Sequence, residues 1–364
     1  MAKTVLIATG IFPPQIGGPA TYAKLLADAL PERGVNVIVE SFGEVLSFPK
    51  IVRHFVYGAK LFWHGRKANT FFVQDTVSVG LPALIVSKIL RKKMILRVPG
   101  DYAWEQGVQR FEVKESIDEF QDKKTKGVLG FLRSIQKFVA THADTVIVPS
   151  EYFKSVVLKW GVLDSKLRVV YNGIEKFVYK EGVALEAQKD GFAILTAGRM
   201  VPWKGFKELV YAFKDIKEVI PEATLCIVGS GPEEQNILNA IKETGLSQCI
   251  KTQKSLPREE LFGLIKKSSV FVLNSGFESF SFQAVEAMAL RAVVVATRTG
   301  SLEEIICDGV TGFLFSPGDT DALKKKIIEV YKNPEGVKRV SLAAREEAKK
   351  YSFDNTVNKL IGLI

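Results

Sequence analysis

The chain has 364 residues, 47% of them apolar and 25% charged, ordinary soluble usage that excludes collagen-like, disulfide-scaffold and intrinsically disordered classes. That length is about twice what one hydrophobic core usually holds, so two domains are expected. The formal charge of +10 is uneven: residues 1 to 190 hold 27 Lys and Arg against 19 Asp and Glu, the remainder 23 against 21, and a basic half of this kind suits nucleic acid, an anionic membrane surface or a phosphorylated ligand.

In chain order, MAKTVLIATG reads as a first strand, without the long apolar region and cleavage site of a signal peptide. Gly17 and Gly18 follow, then a helix over about Thr21 to Arg33 and the strand NVIVESF. The segment Phe48 to Asn69 mixes aromatic and aliphatic residues with Lys50, Arg53, Lys60, Arg66 and Lys67 at helical spacing. It reads either as a helix packed on the sheet or as an interfacial helix touching an anionic membrane surface. After the strand TFFVQD, the longest apolar stretch, Val77 to Leu90, contains Pro82 and Lys88 and is too short to cross a bilayer. MILRV and TVIVPS continue the alternation. Between them the charged span Glu105 to Gly127 interrupts the rhythm and reads as a mobile lid, an acceptor loop or a solvated insertion.

The rhythm of strand and helix then restarts: FAILTAG, a helix over Phe206 to Val219, ATLCIVG, a helix over Glu233 to Thr244, SVFVLNS, a helix over Phe282 to Leu290, AVVVAT and GFLF. Such alternation marks βαβ units around parallel sheets, so two doubly wound halves are expected. The domains are placed at 1–175 and 191–350, with a polar linker at 176–190 and, at 351–364, a helix free to pack on either. Cys226, Cys249 and Cys307 lie far apart without a C-x-x-C pair, which supports neither a disulfide framework nor a zinc site and fits a reducing cytoplasm.

Three windows carry the chemistry. In LNSGFESFSFQAVEAMAL, Glu278 and Glu286 are eight residues apart, so on one helix they would be rotated by about 80° and would not share a face. Glu278 therefore precedes the helix. With a helix start near Ser281, backbone amides around Phe280 to Gln283 favour an anion, Ser279 is a further donor-binding candidate just before them, and a carboxylate stands on either side for hydroxyl groups. In TAGRMVPWKG, Arg199 and Lys204 follow a strand, where open α/β sheets bind ligands; a planar guanidinium and a compact ammonium together suit a pyrophosphate. Gly17 and Gly18 after the first strand, and Gly229 in IVGSGPEEQ, let backbone approach a phosphate or simply make tight turns. As a dinucleotide fingerprint IVGSGPEEQ fails, since Glu234 stands where glycine or alanine is required.

GG in the first loop, VPS at 148–150, YNGIEKF at 171–177, GRMVPWKG at 198–205, VGSGPE at 228–233, FESFSFQAVEAMA at 277–289 and DGVTGFLF at 308–315 together resemble family 4 of the retaining glycosyltransferases. The resemblance implies the GT-B architecture, two Rossmann-like domains facing across a cleft, with the donor held mainly by the second and the acceptor by the first, and a C-terminal helix, here 351–364, that crosses back to the first domain. It implies a nucleoside diphosphate sugar donor and an acceptor hydroxyl on a glycan, lipid or small molecule. By position, Arg199 and Lys204 correspond to the diphosphate-binding pair, Glu278 to the residue facing the donor sugar, Glu286 to the ribose-binding glutamate, and Gly17 and Gly18 to the glycine loop touching donor phosphate and acceptor side.

Many members carry a histidine at a first-domain strand end. Here the comparable stretch is LRVPGDYAWE, which leaves Asp101 and Glu105 as its polar candidates, Asp101 acting either in the site or as a cap of the following turn. His54, His64 and His142 read as surface residues. Asp319 and Asp321 form D-x-D, but before a lysine-rich helix capping explains them. No catalytic metal or other cofactor is expected. The alternatives are a GT-B sugar-nucleotide epimerase and a basic nucleic-acid-binding protein; the latter lacks any recognisable motif, so nucleic acid is not an expected partner. A cytoplasmic location, peripheral at the inner membrane face on the interfacial reading, completes the expectation.

Overall fold

The computed structural model describes residues 3–15, 17–175 and 191–364, so the expected linker at 176–190 lies outside the described residues. The chain divides into two units, Met1–Tyr171 with Asp354–Ile364, and Asn172–Phe353. Each is built on one parallel sheet.

The first unit holds β1 (Thr4–Thr9), α1 (Gly18–Ala29), β2 (Asn36–Ser41), α2 (Val52–Gly65), β3 (Thr70–Val73), α3 (Gly80–Ile89), β4 (Lys93–Arg97), α4 (Tyr102–Arg110), α5 (Ile117–Asp122), α6 (Gly127–His142), β5 (Thr145–Val148), α7 (Glu151–Leu158) and β6 (Leu167–Val169). Its strand order is β2-β1-β3-β4-β5-β6, with Val5 paired to Val37 on one side and Thr70 on the other. The order reverses between β1 and β3, the crevice where open sheets of this kind take ligands. Gly17, the N-cap of α1, and Gly18, its first residue, stand at the β1 side of that point. The helix expected over Thr21 to Arg33 starts three residues earlier and breaks at Leu30, because Pro31 opens a separate short turn closed by Gly34.

The second unit holds β7 (Phe192–Ala197), α8 (Phe206–Val219), β8 (Ala223–Val228), α9 (Glu234–Thr244), β9 (Ile250–Gln253), α10 (Arg258–Lys267), β10 (Val270–Leu273), α11 (Phe282–Ala289), β11 (Val294–Thr297), α12 (Leu302–Ile305), β12 (Phe313–Phe315), α13 (Thr320–Lys332) and α14 (Pro334–Ala348). The order β12-β11-β10-β7-β8-β9 is that of a Rossmann sheet, and its reversal lies between β7 and β10. Central strands are apolar on both faces: Ile194, Leu225, Val270, Val272 and Val295 pack with Leu209, Phe213 and Ile216 of α8 in one core, and Leu195, Phe271 and Val294, which alternate with them, are buried as well. Complete burial of a side chain such as Phe213 stabilises by about 1.5–3 kcal/mol relative to leaving it in water.

The final helix, α15 (Phe353–Ile361), carries residues of the first unit from Asp354 onward. Asp354 accepts from Arg33 at 2.9 Å, Thr356 Oγ1 donates to the Tyr171 carbonyl at 2.8 Å, and the Leu363 carbonyl accepts from Lys93 Nζ at 2.5 Å. The charged span Glu105 to Gly127, expected as a lid or insertion, is packed structure. It contains most of α4 and all of α5, the latter opened by a Ser116–Glu119 capping box. Ile117 and Phe120 are buried, and Arg133 Nη2 donates to the Gln121 carbonyl at 2.5 Å. Among the described residues no helix is long and apolar enough to cross a membrane.

Candidate active site

The second unit assembles its polar groups at the C-terminal ends of β7, β10 and β11. After β7 the chain passes through Gly198 and Arg199 into a short turn, Pro202–Lys204, ended by Gly205 at φ 61°. A Cβ at Gly205 would stand 2.1 Å from the Asn274 carbonyl oxygen, so only glycine lets this turn rest on the loop after β10. Two bonds fasten it there: Asn274 Nδ2 donates to the Gly205 carbonyl at 2.9 Å, and the Gly276 amide donates to the Trp203 carbonyl at 2.7 Å.

That seating delivers Lys204 to Glu278. Lys204 Nζ lies 2.5 Å from Glu278 Oε1, with side-chain exposures of 16% and 7%, and Ser275 Oγ donates to the same oxygen at 2.8 Å. The Glu278 backbone is held from the third loop, where the Ser301 amide donates to its carbonyl at 3.0 Å. A carboxylate and an ammonium this far out of water are held for one another or for a charged ligand.

Ser281 is the N-cap of α11 and accepts from the Ala284 amide at 3.3 Å. The helix begins at Phe282, so the N-terminal amides it presents are those of Phe282 and Gln283, at the far end of the expected span Phe280 to Gln283. The Phe280 side chain is buried and meets Phe282 and Tyr351 edge-on. Gln283 reaches back to the β7 loop: a Cβ on Gly198 would stand 3.4 Å from its Oε1. Arg199, exposed at the mouth of that loop, has its guanidinium carbon 5.5 Å from the Trp203 ring centroid. Ser279 continues the loop between Glu278 and the cap. Gly229 has a packing reason for lacking a side chain, since a Cβ there would stand 1.9 Å from the Gly198 carbonyl oxygen; the β7 and β8 loops touch through their backbones.

Glu286, about a turn into α11, is buried against α10. Arg258 Nη2 lies 2.9 Å from Glu286 Oε1, while Nη1 lies 2.6 Å from Glu175 Oε2. Burial pushes the Glu286 carboxyl above the usual carboxylate range, and the Arg258 guanidinium opposes that rise. Sequence reasoning missed Arg258, Trp203 and Ser275, and it placed the Gln283 amide at the helix start without its side-chain reach to the β7 loop. The signal for Arg258 was local: it opens α10 directly after Pro257, at the head of a helix that follows an edge strand.

Asp101 belongs to the first unit and is the cap rather than a site group. It is 1% exposed, and both its oxygens are taken: Oδ1 by the Trp104 amide at 3.0 Å and Gln136 Nε2 at 2.9 Å, Oδ2 by Gln121 Nε2 at 2.8 Å. Three internal donors take most of the acceptor capacity of this buried carboxylate and tie it to the interior of the first unit. Among the histidines, His54 and His142 are exposed, whereas His64 Nδ1 sits 2.5 Å from the buried Glu40. In D-x-D, Asp319 caps α13 through the Ala322 amide at 2.8 Å and Asp321 pairs with Lys324 at 2.6 Å. Among the described residues no group of three or more His, Cys, Asp or Glu is placed to hold a metal ion.

Lys204, Glu278 and the N-terminus of α11 therefore stand at one sheet's switch point, with Arg199 on the loop after β7 and Glu286 about a turn into α11, groups of the kinds able to grip a diphosphate and to order hydroxyl groups. Residues 181–347 match the family of glycosyl transferases group 1. Over 97% of this chain and 95% of the relative, the chain is 27% identical to an uncharacterised glycosyltransferase of Methanocaldococcus jannaschii. Among solved structures, sucrose-phosphate synthase of Thermosynechococcus elongatus superposes with a TM-score of 0.82 at 19% identity, covering 100% of this chain and 98% of that one. Anabaena HepE in complex with UDP and glucose superposes at 0.80 with 18% identity, covering 100% and 99%. Those two likenesses show the fold.

Proposed function

We propose that this chain, a glycosyltransferase of group 1 with the GT-B fold, moves a sugar from a nucleoside diphosphate sugar to an acceptor hydroxyl with retention of anomeric configuration. The observation that carries the reading is the convergence of Lys204, Glu278 and the α11 N-terminus at the β7–β10 switch point. The bond from the anomeric carbon to the diphosphate oxygen breaks, its electron pair stays on the phosphate, and the acceptor oxygen bonds the same carbon. The acceptor's proton passes to the departing phosphate.

Departure of the diphosphate concentrates negative charge, so preorganised positive charge lowers the barrier most. Arg199 and Lys204 take that role, which lets the reaction run without a metal; chelator-treated enzyme should keep its rate. Lys204 would exchange its bond with Glu278 for one to phosphate, freeing Glu278 to accept from sugar hydroxyls. Glu286, oriented by Arg258, accepts from the ribose. Support for a nucleotide sugar comes from Anabaena HepE, described with UDP and glucose, and UDP is accordingly the first base to test.

The test is a thermal-shift panel of UDP, GDP, ADP and their sugars. A ligand that binds only the native state raises the melting temperature, by a free energy near 2.7 kcal/mol at about a hundredfold excess over Kd. One base should shift the melt strongly and the others little. No shift with any of them at millimolar concentration overturns the proposal.

A further inference from the structure

The first unit carries a surface the donor chemistry does not use. Helices α2, α3 and α6 form an open apolar groove of about 570 Å³ lined by Phe55, Gly58, Leu81, Ile85, Phe131 and Ile135, with His54 among its walls. That volume lies within the usual range of ligand pockets. Gly58 leaves a notch in α2, since a Cβ there would meet nothing within 4 Å. Around it Ile51 and Phe55 are each 74% exposed, Trp63 62%, Ile89 63% and Phe131 65%. Ile51, Phe55 and Phe62 recur at helical spacing along one stripe of α2. An apolar surface of this continuity on a soluble fold marks an interaction site.

Charge indicates the occupant. None of the three helices contains an Asp or Glu. Residues 45 to 100 hold ten Lys and Arg against one acid, Asp75, although Arg97 is buried against Tyr22, Lys88 pairs with Asp144 and Lys93 bonds the Leu363 carbonyl. Lys60 is neutralised by Glu40 and Glu44, but Lys50, Arg66 and Lys67 at the two ends of α2, and Lys124 and Lys126 before α6, are exposed. The Arg66 guanidinium lies 4.8 Å over the Trp63 ring, a pairing suited to the headgroup level of a bilayer. A second copy of the chain would bring cations against cations.

We propose that this face docks the protein on an anionic lipid bilayer and that the groove takes a hydrocarbon chain of the acceptor, which is therefore a lipid; the word acceptor rests on the glycosyltransferase reading above. Apolar side chains enter the acyl boundary, the flanking cations meet anionic headgroups, and the chain in the groove holds the lipid's hydroxyl end on the first unit.

The test is cosedimentation of the full chain with phosphatidylcholine vesicles, with and without about 30 mol% phosphatidylglycerol. Binding should need the anionic lipid and weaken at least tenfold as salt rises from about 0.1 to 1 M and screening shortens. Phe55→Glu should lower partitioning at least tenfold with an unchanged melting temperature. In a separate arm, cis-parinaric acid fluorescence reports a chain entering the groove, and Gly58→Leu should weaken it at least tenfold while vesicle binding persists. Equal binding to both vesicle types, no binding at low salt, or a dimer dissociated by Phe55→Glu overturns the proposal. A nucleotide shift without vesicle binding overturns it alone; vesicle binding without any nucleotide shift keeps the docking and removes the glycosyltransferase reading.

Discussion

Replacing Arg258 with alanine isolates the part of the site that sequence patterns did not reveal. Arg258 is the partner of Glu286 at 2.9 Å, and the two side chains are 33% and 10% exposed. Breaking a fully buried pair from one side costs about 3–5 kcal/mol, whereas exposed pairs contribute only about 0.2–1 kcal/mol. With the carboxylate buried and the guanidinium partly in water, the loss should be about 2 kcal/mol near pH 8. Burial already raises the Glu286 pKa, and Arg258 is the group opposing that rise, so without it the carboxyl takes up a proton more readily. An acid whose folded pKa exceeds its unfolded one adds stability that is present below the unfolded value and lost as pH rises through the folded value. The variant's deficit should therefore shrink to below about 1 kcal/mol near pH 5 and grow toward pH 8. Urea titrations followed by Trp203 fluorescence, the other tryptophans being replaced by phenylalanine in both backgrounds, measure this in the second unit. Adding Glu286→Gln should restore most of the loss, because the residual burden is an unpaired buried charge. A deficit that is the same at both pH values and untouched by Glu286→Gln would refute the reasoning.

The Lys204→Ala variant should lose about 100-fold in kcat with a smaller change in donor KM, the scale of one lost preorganised charge donor; steady-state transfer assays measure it, and an unchanged kcat would remove Lys204 from the reaction. Asp101→Ala should destabilise the first unit by about 2–3 kcal/mol, since Trp104, Gln121 and Gln136 lose their acceptor in the interior. Urea melts of the first unit would show it, while the nucleotide-induced thermal shift stays as in the parent. Gly205→Ala forces a Cβ to within 2.1 Å of the Asn274 carbonyl oxygen at φ 61°, so it should cost at least about 1–2 kcal/mol. It should also lower kcat by displacing Lys204, and a fully active, equally stable variant would contradict the seating described for the turn.

Every strand inside the sheets is legible in the sequence, and so are the edge strands β2 and β12. TVLIAT, TFFVQD, ATLCIVG and AVVVAT are apolar runs because both faces are covered. The two that escaped notice, β6 (Leu167–Val169) and β9 (Ile250–Gln253), are edge strands that bury little: only Leu167 of β6 and Ile250 of β9 are fully buried, so no run of apolar residues announces them. The helix over Phe206 to Val219 was readable to the residue because its buried positions repeat every three to four residues and Gly205 stops it from starting earlier. The Glu105 to Gly127 span misled because α4 and α5 are short and highly charged, with few apolar anchors, and their order comes from caps and from Arg133 on another helix.

Local rules were enough to place Arg199, Lys204, Glu278 and Ser281 at strand ends and a helix start, since those positions follow from chain order in any doubly wound sheet. Pairing was a different matter. That Lys204 meets Glu278 depends on the β7 turn lying on the β10 loop, 74 residues further on. That Arg258 meets Glu286 depends on α10 and α11 packing together, and that Asp101 is consumed by Gln121 and Gln136 depends on α5 and α6 closing over it. Hydrogen bonds and ion pairs act over about 3 Å, and only the folded chain brings groups remote in sequence to that range.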